Sequence, residues 1–162
     1  MQEKNLVIIP TYNEKENAEK IVRKVFSLEE PFDILVVDDG SPDGTAEIIR
    51  RLMKEFPDRL HLMERKGKMG LGTAYMDGFR WGLAHTYTYL TEMDADFSHN
   101  PDDLPRLVES CRNRADVSIG SRYSKGVSVI NWPIGRVIMS WFASAFVRTV
   151  LNMPVYDCTA GF

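Results

Sequence analysis

Short apolar runs alternate with amphipathic stretches along the first 120 residues. The apolar runs lie at residues 6–9, 32–37, 60–63, 87–93 and 115–119. A continuous apolar run bounded by turn residues is typical of a strand buried on both faces, whereas apolar residues between the runs recur at helical spacing. Regular alternation of this kind predicts an α/β fold: five strands in a mostly parallel sheet, with flanking helices.

Helix starts are marked by capping patterns. Asn13 with Glu16 three residues later predicts a helix that begins near Asn13, with Ala18, Ile21 and Val22 on its apolar side. Residues 100–103 combine a capping Asn, a Pro and two Asp, which predicts the start of another helix. A further helix is expected at about residues 73–85.

Polar clusters follow four of the predicted strands. They lie at residues 11–14, 38–39, 94–96 and 121–123. Because ligands of parallel α/β sheets bind beyond the carboxyl ends of the strands, we expect these clusters to gather along one edge. That edge is the predicted functional site.

Asp94 and Asp96 are the strongest candidates for chemistry. In an extended chain, residues i and i+2 point to the same side, so the two carboxylates would face one space. Such a pair is stable around Mg²⁺ or Mn²⁺, which prefer hard oxygen ligands and leave positions for phosphate oxygens. The alternative is that both are solvated loop acids.

Other candidates on this edge have structural alternatives too. Tyr12 can stack on a nucleobase and Glu14 can accept hydrogen bonds from base or ribose. Asp38 and Asp39 are either turn formers before Gly40 or acceptors for a nucleoside. The loop at 67–72 has neither the dinucleotide fingerprint nor a P-loop. Its glycines, with Arg65, Lys66 and Lys68, either approach an anion or form a solvated basic loop.

Composition narrows the functional classes. A formal charge of −3 and an isoelectric point near 5.6 give no general reason to bind nucleic acid. Cys111 and Cys158 have no metal-ligand spacing, which favours free thiols in the cytoplasm. The apolar run at 6–9 is too short for a leader or a membrane span.

Residues 136–151 form a predominantly apolar stretch with a narrow polar stripe. As a helix it would be about 24 Å long, too short to cross a bilayer. It is therefore expected to pack in the core, to self-associate or to lie on a membrane surface.

Six segments together resemble the polyprenyl-phosphate (dolichyl-phosphate) mannose synthases, inverting family 2 glycosyltransferases of the Rossmann-like GT-A fold. They are Pro-Thr-Tyr-Asn-Glu at 10–14, Val-Val-Asp-Asp-Gly-Ser-Pro-Asp-Gly-Thr at 36–45, Lys-Gly-Lys-Met-Gly-Leu-Gly-Thr-Ala-Tyr at 66–75, Met-Asp-Ala-Asp-Phe-Ser-His at 93–99, Gly-Ser-Arg-Tyr at 120–123 and Asn-Trp-Pro at 131–133. Their order is consistent along nearly the whole chain.

The resemblance implies transfer of mannose from GDP-mannose to a polyprenyl phosphate, with inversion and with Mg²⁺ or Mn²⁺ as cofactor. It implies a nucleotide site formed by Pro10, Tyr12, Glu14, Val37 and Asp39. It also implies a diphosphate and metal site formed by Asp94, Ala95, Asp96 and Ser98, with Arg122 nearby as a catalytic residue.

The same resemblance divides the chain into a catalytic nucleotide-sugar region at 1–130 and an interfacial helix with the start of an acceptor-side region at 131–162, within one domain. Family members usually continue beyond this point, so the chain looks truncated. The expected location is the cytoplasmic face of a membrane. The rival interpretations are a transferase of another sugar, for example from UDP-glucose, a receiver-like Mg²⁺-binding signalling module that would start near Ile34, and a nucleotide-sugar binder without activity.

Overall fold

The computed structural model describes residues 3–113, 115–121 and 134–152, together with Val155, Asp157 and Ala160. Within these residues, four strands form one parallel sheet in the order β3-β2-β1-β4. The strands are β1 (Asn5–Thr11), β2 (Asp33–Asp38), β3 (Leu60–Glu64) and β4 (Tyr89–Glu92). The helices are α1 (Ala18–Phe26), α2 (Thr45–Met53), α3 (Leu71–Ala84), α4 (Leu104–Asn113) and α5 (Ile134–Leu151), with a short 3-10 turn at Pro101–Asp103.

Helices cover both faces of the sheet, as the continuous apolar runs predict. In β1, Val7 and Ile9 pack into a core shared with α1, α2 and α4, whereas Leu6 and Ile8 pack into a second core beneath α3. All four side chains are fully buried. The α/β fold with a parallel sheet is therefore confirmed.

The strand order places a topological switch point beside β1. The chain builds outward from β1 to β2 and β3, and then returns to place β4 on the opposite edge of β1. The helices that follow β1 and β4, which are α1 and α4, both pack on the Val7 and Ile9 face of the sheet, whereas α3, which leads into β4, packs on the other face. The strand order reverses between β1 and β4, and ligands of such sheets bind beyond the carboxyl ends of the strands at this kind of point.

The predicted start of α1 at Asn13 is wrong. Asn13 has a left-handed φ of 61°, and α1 begins only at Ala18. The backbone N–H groups of residues 13–15 donate instead to Ser41 Oγ, Thr45 Oγ1 and Asp43 Oδ2. A loop from the neighbouring β-α unit thus takes the donors that a helix start would leave unpaired. By contrast, the cap at Asn100 is confirmed, since its side chain accepts from Asp102 N at 3.1 Å.

The fifth strand predicted at residues 115–119 is also wrong. These residues form no strand, and Val117 is 74% exposed. Residues 116–119 instead face β4 across a cavity of about 510 Å³, so they form no ladder with that strand. An apolar run alone could not predict this, because strand formation needs a partner edge within hydrogen-bonding distance.

Helix α5 is confirmed, and it exposes apolar side chains on more than one side. Trp141, Phe142 and Phe146 are 55%, 60% and 67% exposed, whereas Ser144 is buried and its Oγ lies 3.4 Å from Asp157 Oδ1. No helix among the described residues is both long and apolar enough to cross a bilayer.

Candidate functional site

A cavity of about 300 Å³ lies at the switch point, between the carboxyl ends of β1 and β4 and the first turns of α3. It is smaller than the cavity beside β4, but three of the four predicted polar clusters meet in it. Its lining consists of Pro10, Thr11, Tyr12, Glu14, Asp39, Lys68, Gly70, Leu71, Ala74, Asp94, Ala95 and Asp96.

Most of the predicted site residues are thus brought together. Of those predicted, the residues that line the cavity are Pro10, Tyr12, Glu14, Asp39, Asp94, Ala95 and Asp96. Val37 is fully buried in the core under α3, and Ser98 lies just outside the lining, next to Asp96. Arg122 lies outside the described residues, as do Tyr123 and the Asn-Trp-Pro segment.

The two acidic side chains share the cavity through a turn rather than through an extended strand. Strand β4 ends at Glu92, and the chain turns at Ala95 and Asp96, followed by Phe97 with a left-handed φ of 61°. Both carboxylates line one space, as predicted, but a turn and not an extended strand brings them there.

Each carboxylate has one oxygen held by a protein donor. Asp94 Oδ1 accepts from the Tyr75 hydroxyl at 2.9 Å, and Asp96 Oδ1 accepts from Ser98 N at 2.9 Å. The backbone N–H of Asp94 donates to His99 Nδ1 at 3.2 Å. Neither Oδ2 accepts a hydrogen bond from the part of the chain that the structure describes. One oxygen of each acid is therefore available to a ligand.

This donor set fits a divalent cation whose coordination is completed by phosphate oxygens. Mg²⁺ and Mn²⁺ are commonly bound through one or two carboxylates together with substrate phosphates. No group of three or more His, Cys, Asp or Glu among the described residues is arranged to hold a metal ion. The protein would thus supply Asp94 and Asp96, and the remaining ligands would come from water and the diphosphate.

Two further groups near the acids have shifted pKa values. Burial raises the pKa of Tyr75, and the charge of Asp94 raises it further, so the phenol keeps its proton and acts as a donor. Burial also raises the pKa of Glu92, with a smaller contribution from Asp94. Tyr75 is not among the site residues predicted from the sequence. It ends the segment at 66–75 and lies on the same face of α3 as Gly78 and Gly82, which is the signal that the sequence offers for it.

The two neighbouring acids after β2 have different roles. Asp38 accepts from Thr11 Oγ1 and from both the backbone N–H and the hydroxyl of Ser41, so it is a turn-forming residue. Asp39 reaches the cavity, where it pairs with Arg65 and accepts from the N–H groups of Met69 and Gly70. The turn-former alternative is therefore correct for Asp38 only.

Arg65 is not free to bind an anion, contrary to the expectation for the basic loop. Its side chain is 5% exposed and contacts Asp39, Asp77, Thr73 Oγ1 and the carbonyl of Gly70. It holds the glycine-rich loop against the start of α3. Lys68 does face the cavity, where its ammonium lies 4.6 Å from the centre of the Tyr12 ring, a cation–π contact.

The chain belongs to glycosyl transferase family 2, whose family model matches residues 6–161. It is 49% identical over 160 residues to the polyprenol monophosphomannose synthase of Mycolicibacterium smegmatis, covering 99% of this chain and 60% of that protein. It is 46% identical over 157 residues to the undecaprenyl-phosphate mannosyltransferase of Micrococcus luteus, covering 97% of this chain and 64% of that protein. The chain thus spans about three fifths of the length of these two relatives.

The fold has a solved counterpart. The mannosyltransferase PcManGT of Pyrobaculum calidifontis, solved in complex with GDP-Man and Mn²⁺, superposes with a TM-score of 0.60 at 28% identity. The match covers 70% of this chain and 34% of that structure. The sheet described above is therefore the GT-A sheet of a glycosyltransferase.

Proposed function

We propose that this protein transfers mannose from GDP-mannose to dolichyl or another polyprenyl phosphate, with inversion at the anomeric carbon. The observation that carries the proposal is the cavity at the switch point, where Asp94 and Asp96 lie across from Tyr12. The names of the polyprenol-phosphate mannosyltransferase relatives, and the GDP-Man and Mn²⁺ held by the structural neighbour, support the choice of substrates.

The nucleoside would occupy the β1 side of the cavity. Tyr12 is 37% exposed, so part of its ring is open to stacking on the base. Pro10, Val37 and Glu14 are assigned to the same half of the site, Val37 by resemblance alone. Asp39 keeps the glycine-rich loop folded beside the nucleoside through the N–H groups of Met69 and Gly70.

The diphosphate would lie on the β4 side. Asp94 and Asp96 would hold Mg²⁺ or Mn²⁺ through their remaining oxygens, with Ala95 and Ser98 beside them and Arg122 contributing positive charge. When bound, the cation supplies electrostatic stabilisation of the negative charge that develops on the departing GDP. An acceptor phosphate is already ionised at neutral pH, so these residues need to orient the donor rather than supply a strong base.

The exposed apolar surface of α5 suits a lipid-linked acceptor. We assign it to the membrane surface, on the cytoplasmic face where GDP-mannose would be available. The side chains of Trp141, Phe142 and Phe146 are more than half exposed, and aromatic side chains are favoured at the membrane interface. The division at residue 130 between a donor-binding region and an acceptor-side region is part of the same proposal.

Transfer of a different sugar is the second candidate function, because a cation held by the D-x-D pair would contact the diphosphate and would not select the sugar. The receiver interpretation is not supported, since the family match begins at residue 6 and includes the β-α unit that a receiver starting near Ile34 would leave unexplained. A chain that binds the donor without transferring the sugar is the remaining alternative, and an assay of sugar transfer distinguishes it from an active enzyme.

The test is a thermal-shift series with GDP-mannose, GDP, UDP-glucose and UDP, each with Mn²⁺ and with EDTA. Ligand binding to the folded state raises stability by RT ln(1 + [L]/Kd). We expect the largest shift with GDP-mannose and Mn²⁺. A larger shift with UDP-glucose would show that UDP-glucose, and not GDP-mannose, is the donor. The absence of a shift with every nucleotide would overturn the proposal. Transfer of labelled mannose to polyprenyl phosphate then separates an active enzyme from a binder.

A further inference from the structure

Among the described residues outside the segment at 93–99, Tyr75 is the one whose side chain forms a hydrogen bond with the carboxylate of Asp94 or Asp96. Its hydroxyl donates to Asp94 Oδ1 at 2.9 Å, and its side chain is largely buried at 7% exposure. An ionised carboxylate can only accept hydrogen bonds, and a neutral phenol donates one. The contact therefore fixes which oxygen of Asp94 is occupied and leaves Oδ2 for another ligand.

Helix α3 holds Tyr75 at a defined depth above the sheet. Gly78 and Gly82 lie on the same face of α3, three and seven residues further on. A Cβ at Gly78 would lie 2.5 Å from Ile8 Cγ2, and one at Gly82 would lie 2.5 Å from Leu90 Cδ2. Because these glycines let α3 pack closely against β1 and β4, the phenol of Tyr75 is brought to the end of β4.

The start of α3 is also fixed from the other side. The buried Arg65 contacts Asp39, Thr73, Asp77 and the Gly70 carbonyl, all next to or within the first two turns of α3. Tyr75 thus lies on a segment anchored both to the core and to the glycine-rich loop. A hydroxyl held in this way restricts the rotation of the Asp94 side chain.

We propose that Tyr75 is a positioning residue for the metal site: it orients Asp94 so that Oδ2 faces the diphosphate end of the cavity. This inference rests on the proposed function, because it assigns Asp94 to a divalent cation. Hydrogen bonds to metal-ligating carboxylates fix the geometry of the ligand, and their loss typically costs 10- to 100-fold in metal affinity.

The chain offers a matched control. The Tyr87 hydroxyl donates to Asp33 Oδ2 at the same distance, 2.9 Å, and is also partly buried, but neither residue lines the cavity. Tyr75→Phe and Tyr87→Phe each remove one hydroxyl and one hydrogen bond to a carboxylate. They differ in whether that carboxylate belongs to the candidate site.

The decisive measurement is titration of the protein with Mn²⁺ in the presence of GDP, followed by the electron paramagnetic resonance signal of free Mn²⁺. We expect Tyr75→Phe to weaken Mn²⁺ binding about tenfold, Tyr87→Phe to match the wild type, and Asp94→Asn to abolish binding. In EDTA, the affinity of Tyr75→Phe for GDP should equal that of the wild type. This comparison separates a defect in the metal site from a general loss of structure.

Two results would overturn the inference, and they are distinguishable. If the wild type and Tyr75→Phe bind Mn²⁺ equally while Asp94→Asn does not, the metal assignment stands and Tyr75 has only a structural role. If the wild type binds no Mn²⁺ with GDP, the metal assignment of the acidic pair fails and the role of Tyr75 fails with it. If Tyr75→Phe is unfolded, Tyr75→Leu replaces it as the variant without a donor, and Tyr75→His is compared with it because it retains a ring N–H donor that should restore part of the Mn²⁺ affinity.

Discussion

Arg65 and Asp39 form an ion pair beneath the glycine-rich loop, with side chains only 5% and 8% exposed. Asp39 also accepts hydrogen bonds from Met69 N and Gly70 N, so the carboxylate joins the end of β2 to the loop and to the start of α3. The position of the glycine-rich loop, which forms one side of the candidate donor site, therefore depends on this ion pair.

Replacing Arg65 with Met should destabilise the fold and loosen the site together. Removing one partner of a buried pair leaves an uncompensated charge, which typically costs about 3–5 kcal/mol. We expect a loss in the free energy of unfolding of this order, measured by urea denaturation, and weaker GDP binding in the folded fraction.

Arg50→Met is the control, because Arg50 forms ion pairs with Glu47 and Glu64 on the surface and is 47% exposed. Exposed pairs contribute at most about 1 kcal/mol. Equal losses in the two variants would contradict the special role of Arg65.

Asp96→Asn should reduce GDP-mannose affinity at least about tenfold in Mn²⁺, equivalent to about 1.4 kcal/mol. The physical reason is the loss of one of the two carboxylates available to the cation. Calorimetry measures the effect, with EDTA replacing Mn²⁺ in a parallel series. Asp102→Asn removes an equal charge from a residue that does not line the cavity and that pairs with Lys24, and it should have no effect. If the wild type binds GDP-mannose equally well in EDTA and in Mn²⁺, no metal ion links these carboxylates to the diphosphate.

Tyr12→Ala and Asp39→Asn should weaken GDP as much as GDP-mannose, because both residues are assigned to the nucleoside half of the site. Stacking of a base on an aromatic ring is worth about 1–3 kcal/mol. Tyr12→Phe keeps the ring and should retain most of the affinity in isothermal titration. If only the affinity for GDP-mannose falls, these residues have been assigned to the wrong half of the site.

Gly78→Ala should lower the free energy of unfolding by about 1–3 kcal/mol, because a new Cβ would lie 2.5 Å from Ile8 Cγ2 in a packed core. Gly72→Ala is the matched change in the same helix, since a Cβ there meets no atom within 4 Å. Alanine is favoured over glycine in helices by up to about 1 kcal/mol, so Gly72→Ala should be neutral or stabilising. Denaturant titration of both variants tests whether α3 is held at the depth described.

The exposed surface of α5 should cause self-association or lipid binding. Covering several hundred Å² of apolar surface is worth several kcal/mol at about 25 cal/mol per Å². Light scattering and liposome flotation should show that Trp141→Ser with Phe142→Ser reduces both behaviours.

Leu83→Ser with Val117→Ser removes two apolar side chains elsewhere that are exposed to a greater fraction, 68% and 74%, and should change little. A wild-type chain that stays monomeric and ignores liposomes would require withdrawal of the membrane-facing role.

The sequence by itself determined the α/β class, the parallel sheet and the edge at which the polar residues gather. These follow from local properties, since buried strands between amphipathic helices leave few topologies open. The motifs at 10–14 and 93–99 likewise identified most residues of the cavity, because residues that follow successive parallel strands converge whatever the details of packing.

Only the tertiary structure decided which polar groups are available to a ligand. Asn13 begins a capping pattern, but side chains of residues 41–45 accept from the N–H groups of Asn13 and Glu14, and the helix begins only at Ala18. The sequence alone suggests that Arg65 is a free cation, but in the fold its side chain is buried and forms an ion pair with Asp39. No local pattern predicts the contact between Tyr75 and Asp94, because that contact depends on how closely α3 approaches the sheet at Gly78. Each of these outcomes depends on contacts between residues distant in sequence, and local pattern contains no information about such distances.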